Sequence, residues 1–410
     1  MTLTQDLADR IIKTVGAHGY PPEYGFQHFT VGLERFLQPL EREYLGGAIQ
    51  RGVSAFKMVV GSYGGGKTHF LYSIRELAWT HNFAVSYVVL KPDETPFHKL
   101  ELVYKAIALG LMYPMSQEEL SSGTEKGIEN FIRAWFAQRR STYERQELQG
   151  PQLKDALIAY ADSIRGFEST SFQRAIRHAF LSLVDKRNEQ FDDIAQWLKA
   201  EGFVRSVHPR YGIVERIDRT NAFKMIRTLA QWIREIDYAG LLILLDEAEQ
   251  VPSFSGRQKQ SLLGNLRDLI DACGQESFRG VMVFYAVPDE NFLEGRAEIY
   301  EALRQRVSTV FEELNPSGVK LYLEQLSLEP VQLLTEIGAK LRQIFEVAQD
   351  VRLDPAPLSR ALPMLAEVCY RQRFADIGYR RLFVQKAIRA FGQIGANPHL
   401  TIDESWAEGL

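Results

Sequence analysis

The sequence predicts an α/β fold in which helices cover a parallel β-sheet. Two nearly continuous apolar runs, 241–245 (LLILL) and 281–287 (VMVFYAV), are typical of strands that are buried on both faces. Two further runs, 54–60 and 83–90, are rich in β-branched and aromatic residues and flank a segment of helical length, which indicates a strand, helix, strand unit. With a fifth strand predicted at 309–314 (TVFEEL), the expected sheet is five-stranded and parallel.

Composition narrows the class of protein. Of the 410 residues, 45% are hydrophobic and 24% are charged, as in an ordinary globular chain. No apolar run is long enough to span a bilayer, and the first residues lack the basic and apolar regions of a secretory signal. We therefore expect a cytoplasmic protein without a membrane segment.

The net charge of −4 differs from the overall basic charge of a typical nucleic-acid binder, so any DNA contact is expected to use a local basic patch.

The spacing of the predicted strands indicates three regions. About 150 residues without a clear strand separate the second and third strands, far more than one crossover helix needs. We place a helical insertion at about 115–215 within a core of residues 46–316. An N-terminal helical arm is predicted for residues 1–45, and a small helical lid for residues 317–410.

The segment 61–68 (GSYGGGKT) matches the phosphate-loop (P-loop) pattern G-x-x-x-x-G-K-[ST] and lies between a predicted strand and a predicted helix. Its glycines let backbone N–H groups wrap a pyrophosphate, and the helix N-terminus favours the negative charge. Lys67 is expected to reach the β- and γ-phosphates of ATP, and the Thr68 hydroxyl to bind Mg²⁺. The predicted nucleotide-binding residues of this loop are Gly61, Ser62, Tyr63, Gly64, Gly65, Gly66, Lys67 and Thr68.

Two carboxylates follow the apolar run 241–245, at the strand end where open α/β sheets bind ligands. They look like a Walker B motif. Asp246 would hold Mg²⁺ through water, and Glu247 would polarise the attacking water. Beside the phosphate loop, this pair predicts hydrolysis of ATP and not only its binding.

The strand 281–287 is expected to lie between the phosphate-loop strand and the acidic strand, where its end normally offers a polar side chain to the γ-phosphate. No Asn, Ser or Thr occupies that place in this sequence. Two alternatives remain open at this stage: either Tyr285 or Asp289 substitutes, or that polar sensor is missing.

Arginines near the predicted lid are candidates for contact with the γ-phosphate. Arg304 and Arg306 precede the predicted fifth strand, where they could reach the nucleotide of a neighbouring subunit in a homo-oligomer. The segment 377–381 (IGYRR) starts a predicted lid helix, whose first turn could direct Arg381 onto the γ-phosphate. The surrounding segment 371–389 is the strongest local basic cluster in the sequence and the predicted patch for DNA, although a solvated helix face has the same pattern.

Together, GSYGGGKT, LLILLDEAE, the arginines of LRQRV and the IGYRR segment resemble the AAA+ ATPases, most closely those with an origin-recognition or STAND-like core. The longer stretch SAFKMVVGSYGGGKTHFL, with FTVGLERFL before it and TPFHKLELVYKAI after it, resembles the ATP-binding proteins of BREX and related bacterial phage-defence systems. The resemblance implies a P-loop NTPase fold, ATP-driven assembly, and DNA remodelling, loading or translocation with a partner helicase or nuclease.

Two other functions fit the same sequence. A STAND-like nucleotide switch would regulate a protein complex by slow hydrolysis, with the insertion as the surface that binds its partner. A passive scaffold would be stabilised by ATP without using its hydrolysis. Turnover, and what stimulates it, distinguishes these functions from a DNA motor.

Overall fold

The structure is a computed structural model that describes residues 2–248, 254–275, 277–295, 297–326, 328–373, 378–397 and 400–410. Its centre is a six-stranded sheet formed by β1 (Ala55–Val60), β2 (Ala84–Val89), β3 (Leu111–Met112), β4 (Leu241–Asp246), β5 (Val281–Val287) and β6 (Lys320–Tyr322). The strand order is β3-β2-β4-β5-β1-β6. All neighbours are parallel except β3, which runs antiparallel to β2. As expected, β5 lies between β1 and β4.

The prediction of a five-stranded, fully parallel sheet was wrong at both edges. At one edge, β3 adds a sixth strand inside the stretch that was predicted to have no strand. Only two of its residues pair with β2, and so short an apolar run has no periodicity by which a strand could be recognised.

At the other edge, the predicted strand 309–314 does not form. Val310 makes only an isolated bridge to Lys320, and Leu314 is 98% exposed. The chain turns at 312–318, and the residues that follow the turn pair with β1 as β6. The turn places the adjacent carboxylates of Glu312 and Glu313 in solvent, where they avoid the cost of burying unpaired charge in a sheet.

The helices alternate with the strands, as connections between parallel strands require. Before β3 lie α1 (Gln5–His18), α2 (Glu34–Pro39), α3 (Lys67–Thr80) and α4 (Leu100–Leu109). Between β3 and β4 lie α5 (Gln117–Ser121), α6 (Ile128–Arg145), α7 (Gly150–Ser163), α8 (Thr170–Val184), α9 (Asn188–Leu198) and α10 (Ala222–Glu235). After β4 come α11 (Gly256–Gly274), α12 (Glu298–Arg306), α13 (Pro330–Gln349), α14 (Pro355–Arg371), α15 (Tyr379–Ala396) and α16 (Glu404–Gly409).

Alternate residues of the buried strands point to the two faces of the sheet. Ile243 and Leu245 pack on one face with residues of the insertion, including Trp135, whereas Leu242 and Leu244 pack on the other face with residues of α3. The insertion therefore shares the hydrophobic core of the sheet and is not a separate lobe.

A third core joins the two ends of the chain. Residues of α1 and of the short 3₁₀ helix Phe26–Phe29 pack with residues of α13, α14 and α15 in one buried cluster. The arm and the lid consequently meet beside the phosphate loop. Within the described ranges, no helix is both long and apolar enough to cross a membrane.

Candidate nucleotide-binding site

The phosphate loop lies between the end of β1 and the start of α3, at the carboxyl edge of the sheet. Gly64 and Gly66 have φ angles of 70° and 93°, in the left-handed region that glycine adopts at little cost. The loop can therefore turn tightly and direct its backbone N–H groups into the space at the N-terminus of α3. That helix begins at Lys67 and is fixed by the buried side chains of Phe70 and Ile74.

Lys67 is 6% exposed and folds back over the loop. Its Nζ donates hydrogen bonds to the carbonyl oxygens of Gly61, at 2.9 Å, and Ser62, at 3.2 Å. The ammonium group is thus held within the loop, where it could donate charge-assisted hydrogen bonds to a bound phosphate chain.

Thr68 and Asp246, the two predicted metal ligands, lie side by side. The Thr68 hydroxyl donates to Oδ2 of Asp246 at 2.7 Å, and the Tyr87 hydroxyl donates to the same oxygen, also at 2.7 Å. Burial and the nearby Asp246 carboxylate raise the pKa of Tyr87, so its hydroxyl keeps the proton that it donates. The carboxylate itself is only 1% exposed.

Glu247 adopts a left-handed backbone conformation with a φ of 56°, which is uncommon for a residue with a side chain. Its backbone N–H donates to Oδ1 of Asp246 at 2.9 Å. Glu247 lines the same cleft as Lys67 and Thr68. The acidic pair and the phosphate loop, which are far apart in sequence, therefore border one space.

The lid reaches the phosphate loop through consecutive arginines of α15. The guanidinium of Arg381 lies between two rings, 4.2 Å from the centroid of Tyr20 and 4.5 Å from that of Tyr63. A hydrogen bond with Tyr63 raises the pKa of Tyr20. The Nε of Arg381 is buried without a hydrogen-bond partner in the described structure. Arg380 donates to the carbonyl oxygens of Gly65, at 2.6 Å, and Leu323, at 3.0 Å.

Gly378, at the start of α15, touches the phosphate loop directly. A Cβ atom at this position would lie 1.8 Å from the carbonyl oxygen of Tyr63 and 2.8 Å from Cα of Gly64. Both are backbone atoms that cannot move away cheaply. The close approach of lid and loop therefore requires glycine at this position.

We expect Gly378→Ala to separate the lid from the loop and to lower ATP affinity about tenfold, because the added methyl group overpacks a backbone contact. Calorimetric titration with ATP measures the affinity. Gly392→Ala is the matched control, since Gly392 lies in the same helix and has nothing within 4 Å of the added atom. If the two variants bind ATP with equal affinity, the contact between Gly378 and the loop does not contribute to ATP binding.

Two adjoining clefts open at this edge of the sheet. One, of about 500 Å³, is lined by the residues Gly19, Tyr20, Pro21, Tyr63, Gly64, Gly66, Lys67, Thr68, His69, Asp246, Glu247 and Arg381. The other, of about 660 Å³, is mainly apolar and is lined by Val15, Gly19, Tyr20, Pro21, Phe29, Val31, Leu33, Gly64, Gly66, His69, Leu326, Leu333, Ile337, Arg380, Arg381 and Val384. Seven residues border both clefts.

Not every predicted residue borders this space. Arg304 donates to the carbonyl oxygens of Leu293 and Gly295, at 3.2 and 3.4 Å. Arg306 forms a two-bond ion pair with Asp271, at 2.5 and 2.9 Å. Neither arginine borders the two clefts of the chain that carries it.

Tyr285 and Asp289, the two candidates for a substitute polar sensor, also lie outside the lining of these clefts. Tyr285 is 1% exposed, and its ring packs against those of Phe56 and Phe97 in the core. The carboxylate of Asp289 accepts the backbone N–H of Asn291 at 2.7 Å. Neither observation supports a sensor at this strand end.

The basic cluster predicted at 371–389 does not form one surface patch. Lys386 is 5% exposed and donates to the carbonyl oxygens of Ala407 and Glu408. Arg380 and Arg381 face the phosphate loop, as described above. Helical periodicity directs these side chains in several directions. The use of this segment as a basic patch for DNA stays a prediction. Ile377, which begins the IGYRR segment, lies outside the described residues.

Sequence reasoning missed three side chains at the site: Tyr20, Tyr87 and His69. His69 hydrogen-bonds to Thr30 at 2.6 Å and packs between the rings of Phe26 and Phe29. Burial, and secondarily the charge of Arg380, lowers the pKa of His69 to about 4, so the side chain is neutral near pH 7. The only sequence signal for His69 is its position directly after Thr68. Tyr20 and Tyr87 have no signal, because tertiary packing alone brings Tyr20 to the cleft and the Tyr87 hydroxyl to Asp246.

The donor set at the cleft fits Mg²⁺. A hydroxyl and a carboxylate are hard oxygen ligands, and Mg²⁺ is commonly held by one or two protein groups while phosphates and water supply the remaining ligands. The 2.7 Å contact between Thr68 and Asp246 brings the two groups close enough to serve one ion.

The fold and the cleft define an α/β nucleotide-binding protein, with a glycine-rich loop, a lysine and an acidic pair around one space. The family model of the BREX system ATP-binding proteins BrxC/D matches residues 4–409, and the chain belongs to this family. It is thus an ATP-binding protein of a BREX phage-defence system, which confirms the resemblance drawn from the residues around the phosphate loop. No curated protein and no solved structure matches the chain.

Proposed function

We propose that this protein is a Mg²⁺-dependent ATPase of the AAA+ type. The observation that carries the proposal is the meeting of Lys67, Thr68, Asp246 and Glu247 around one cleft at the carboxyl edge of the sheet. The position of β5 between β1 and β4 supports a P-loop NTPase fold. The two lid arginines beside the loop support the AAA+ assignment, in which a helical lid contributes to the nucleotide site.

In the proposed reaction, a water oxygen attacks the γ-phosphorus, the bond to the β–γ bridging oxygen breaks, and ADP and phosphate leave. The carboxylate of Glu247 orients the water and accepts its proton. Lys67 and the loop N–H groups hold the β- and γ-phosphates, and Arg381 offers its unpartnered Nε to the γ-phosphate. When bound, Mg²⁺ would neutralise charge on the phosphate oxygens, with the Thr68 hydroxyl as a direct ligand and Asp246 holding the ion through water.

The larger, apolar cleft is our proposed site for the nucleoside. It adjoins the phosphate loop, and its walls come from the arm, including Val15 and Phe29, and from the lid, including Leu333 and Val384. An adenine ring buried there would contact both regions at once. ATP binding would accordingly stabilise the packing of the arm on the lid.

Hydrolysis is proposed to occur between subunits of a homo-oligomer, with an arginine supplied in trans. Arg304 fits this role better than Arg306, because Arg304 is exposed and its hydrogen bonds are long, whereas Arg306 is already committed to Asp271. We expect Arg304→Ala to keep ATP affinity and to lower turnover about 10³-fold.

Arg306→Ala is the matched control for that variant. We expect it to lower the denaturation midpoint by breaking the pair with Asp271 and to retain most of its turnover per folded molecule. Steady-state phosphate release and urea denaturation measure the two effects. If both variants keep full turnover, neither arginine acts in trans.

BREX membership implies partner proteins, and we propose that ATP hydrolysis drives assembly and DNA remodelling, loading or translocation with a partner helicase or nuclease. The test is steady-state ATP turnover of the purified chain alone, with duplex DNA and with single-stranded DNA. Strong stimulation by DNA would support the motor or loader. Tight ATP binding with slow turnover indifferent to DNA would support the alternative, a STAND-like switch that regulates a protein complex.

A further inference from the structure

The side chain of Tyr87 reaches the acidic strand end from the neighbouring strand. In the parallel register of β2 and β4, Tyr87 pairs with Leu244 and Val89 pairs with Asp246. Alternation along a strand places Leu244 and Asp246 on the same face, which is the face covered by α3. A tyrosine opposite Leu244 is long enough to extend its hydroxyl to the carboxylate two residues further on.

Among the described residues, three donors bind the Asp246 carboxylate. Oδ2 accepts the hydroxyls of Thr68 and Tyr87, both at 2.7 Å, and Oδ1 accepts the backbone N–H of Glu247 at 2.9 Å. The ring of Tyr87 is itself braced by Tyr72 of α3, with ring centroids 5.2 Å apart. The position of the Tyr87 hydroxyl is therefore fixed from both sides.

Tyr87 should contribute more to the orientation of the Asp246 carboxylate when Mg²⁺ is bound than when the metal is absent. If Thr68 holds Mg²⁺ through its hydroxyl oxygen, its hydrogen bond to Asp246 would have to readjust. The hydroxyl of Tyr87 would not have to give up its hydrogen bond to Asp246, because Tyr87 is not one of the proposed metal ligands. It thus remains as the side-chain donor that keeps the carboxylate oriented toward a metal-bound water.

Resting on the proposed function, we propose that Tyr87 is a positioning residue for Mg²⁺, which orients the Asp246 carboxylate without touching the ion itself. This role predicts an effect specific to the metal-bound state. A tyrosine that only fills the core would instead affect ATP binding equally with and without the metal.

The test is the affinity of the purified chain for a fluorescent ATP analogue, measured in EDTA and across a Mg²⁺ titration. We expect Tyr87→Phe to raise about tenfold the Mg²⁺ concentration that gives half of the increase in affinity for the analogue. A tenfold change corresponds to the loss of one charge-assisted hydrogen bond. The affinity in EDTA and the melting temperature should stay unchanged, because phenylalanine keeps the ring and its packing against Tyr72.

Tyr113→Phe is the matched control. The hydroxyl of Tyr113 also donates to a carboxylate, that of Glu119 at 3.1 Å, but away from the cleft, so its loss should leave the Mg²⁺ titration unchanged. An equal loss of affinity for Tyr87→Phe with and without Mg²⁺, or no change at all, would overturn the inference. If the unsubstituted protein binds the analogue independently of Mg²⁺, the proposed function itself fails.

Discussion

Replacing Glu247 with glutamine should abolish ATP turnover while leaving ATP binding intact. Glutamine keeps the size of the side chain and the backbone N–H that donates to Asp246, but it cannot accept a proton from water. We expect turnover to fall by about 10²–10⁴-fold, the usual contribution of a general base. Phosphate release at saturating ATP measures turnover, and calorimetry measures affinity.

The backbone of Glu247 makes this variant a clean test. The left-handed φ of 56° is a property of the position and not of the carboxylate, so glutamine experiences the same local strain as glutamate. Glu313→Gln is the matched control, because it removes one exposed carboxylate from the turn after α12. If the Glu247→Gln variant keeps a turnover within about threefold of that of the unsubstituted protein, another group activates the water.

The agreement between sequence and structure is best where the chemistry is local in the chain. The phosphate loop occupies eight consecutive residues, and Asp246 and Glu247 are adjacent, so their spacing is set by covalent geometry. Parallel strands end at the same edge of a sheet, which is why two distant motifs were expected to meet. The distance of 2.7 Å between Thr68 and Asp246 agrees with that expectation.

The missed or wrong predictions concern features that depend on long-range packing. Tyr20 reaches the cleft from the arm, and Tyr87 reaches Asp246 from β2. No pattern within either segment indicates these contacts. The edge strand β6 also escaped detection, because three residues are too few to display a period of two. The segment 309–314 has strand-like composition, but it leads into a turn that leaves its two glutamates exposed.

The choice between the lid arginines illustrates the same limit. Successive residues of a helix point about 100° apart, so the rotation of α15 decides which guanidinium meets the loop backbone and which enters the cleft. The structure directs Arg380 to carbonyl oxygens and places Arg381 between two tyrosine rings. The sequence analysis chose Arg381 for the γ-phosphate, but it could not predict that Arg380 binds the loop backbone.

Replacing Lys67 with alanine should remove ATP binding itself. Lys67 is the charged residue of the segment GSYGGGKT. Its ammonium group lies inside the turn of the loop, where it donates to the carbonyl oxygens of Gly61 and Ser62. Its loss removes charge-assisted hydrogen bonds to the phosphates and also releases those two carbonyl oxygens, which would then compete for the loop N–H groups. We expect ATP affinity to fall at least about 100-fold, measured by calorimetry.

A control must separate loss of the phosphate contact from loss of positive charge near the cleft. Lys91→Ala serves here, because Lys91 follows β2 at the same edge of the sheet and, among the described contacts, its side chain makes only an exposed ion pair with Glu94. We expect that variant to bind ATP normally, since an exposed pair contributes little and is screened by salt. If Lys67→Ala also binds ATP with unchanged affinity and remains folded by its melting temperature, the loop does not hold the phosphates. The cleft must then be assigned to another ligand, because even a weak contact between this lysine and the phosphates would lower ATP affinity when the lysine is removed.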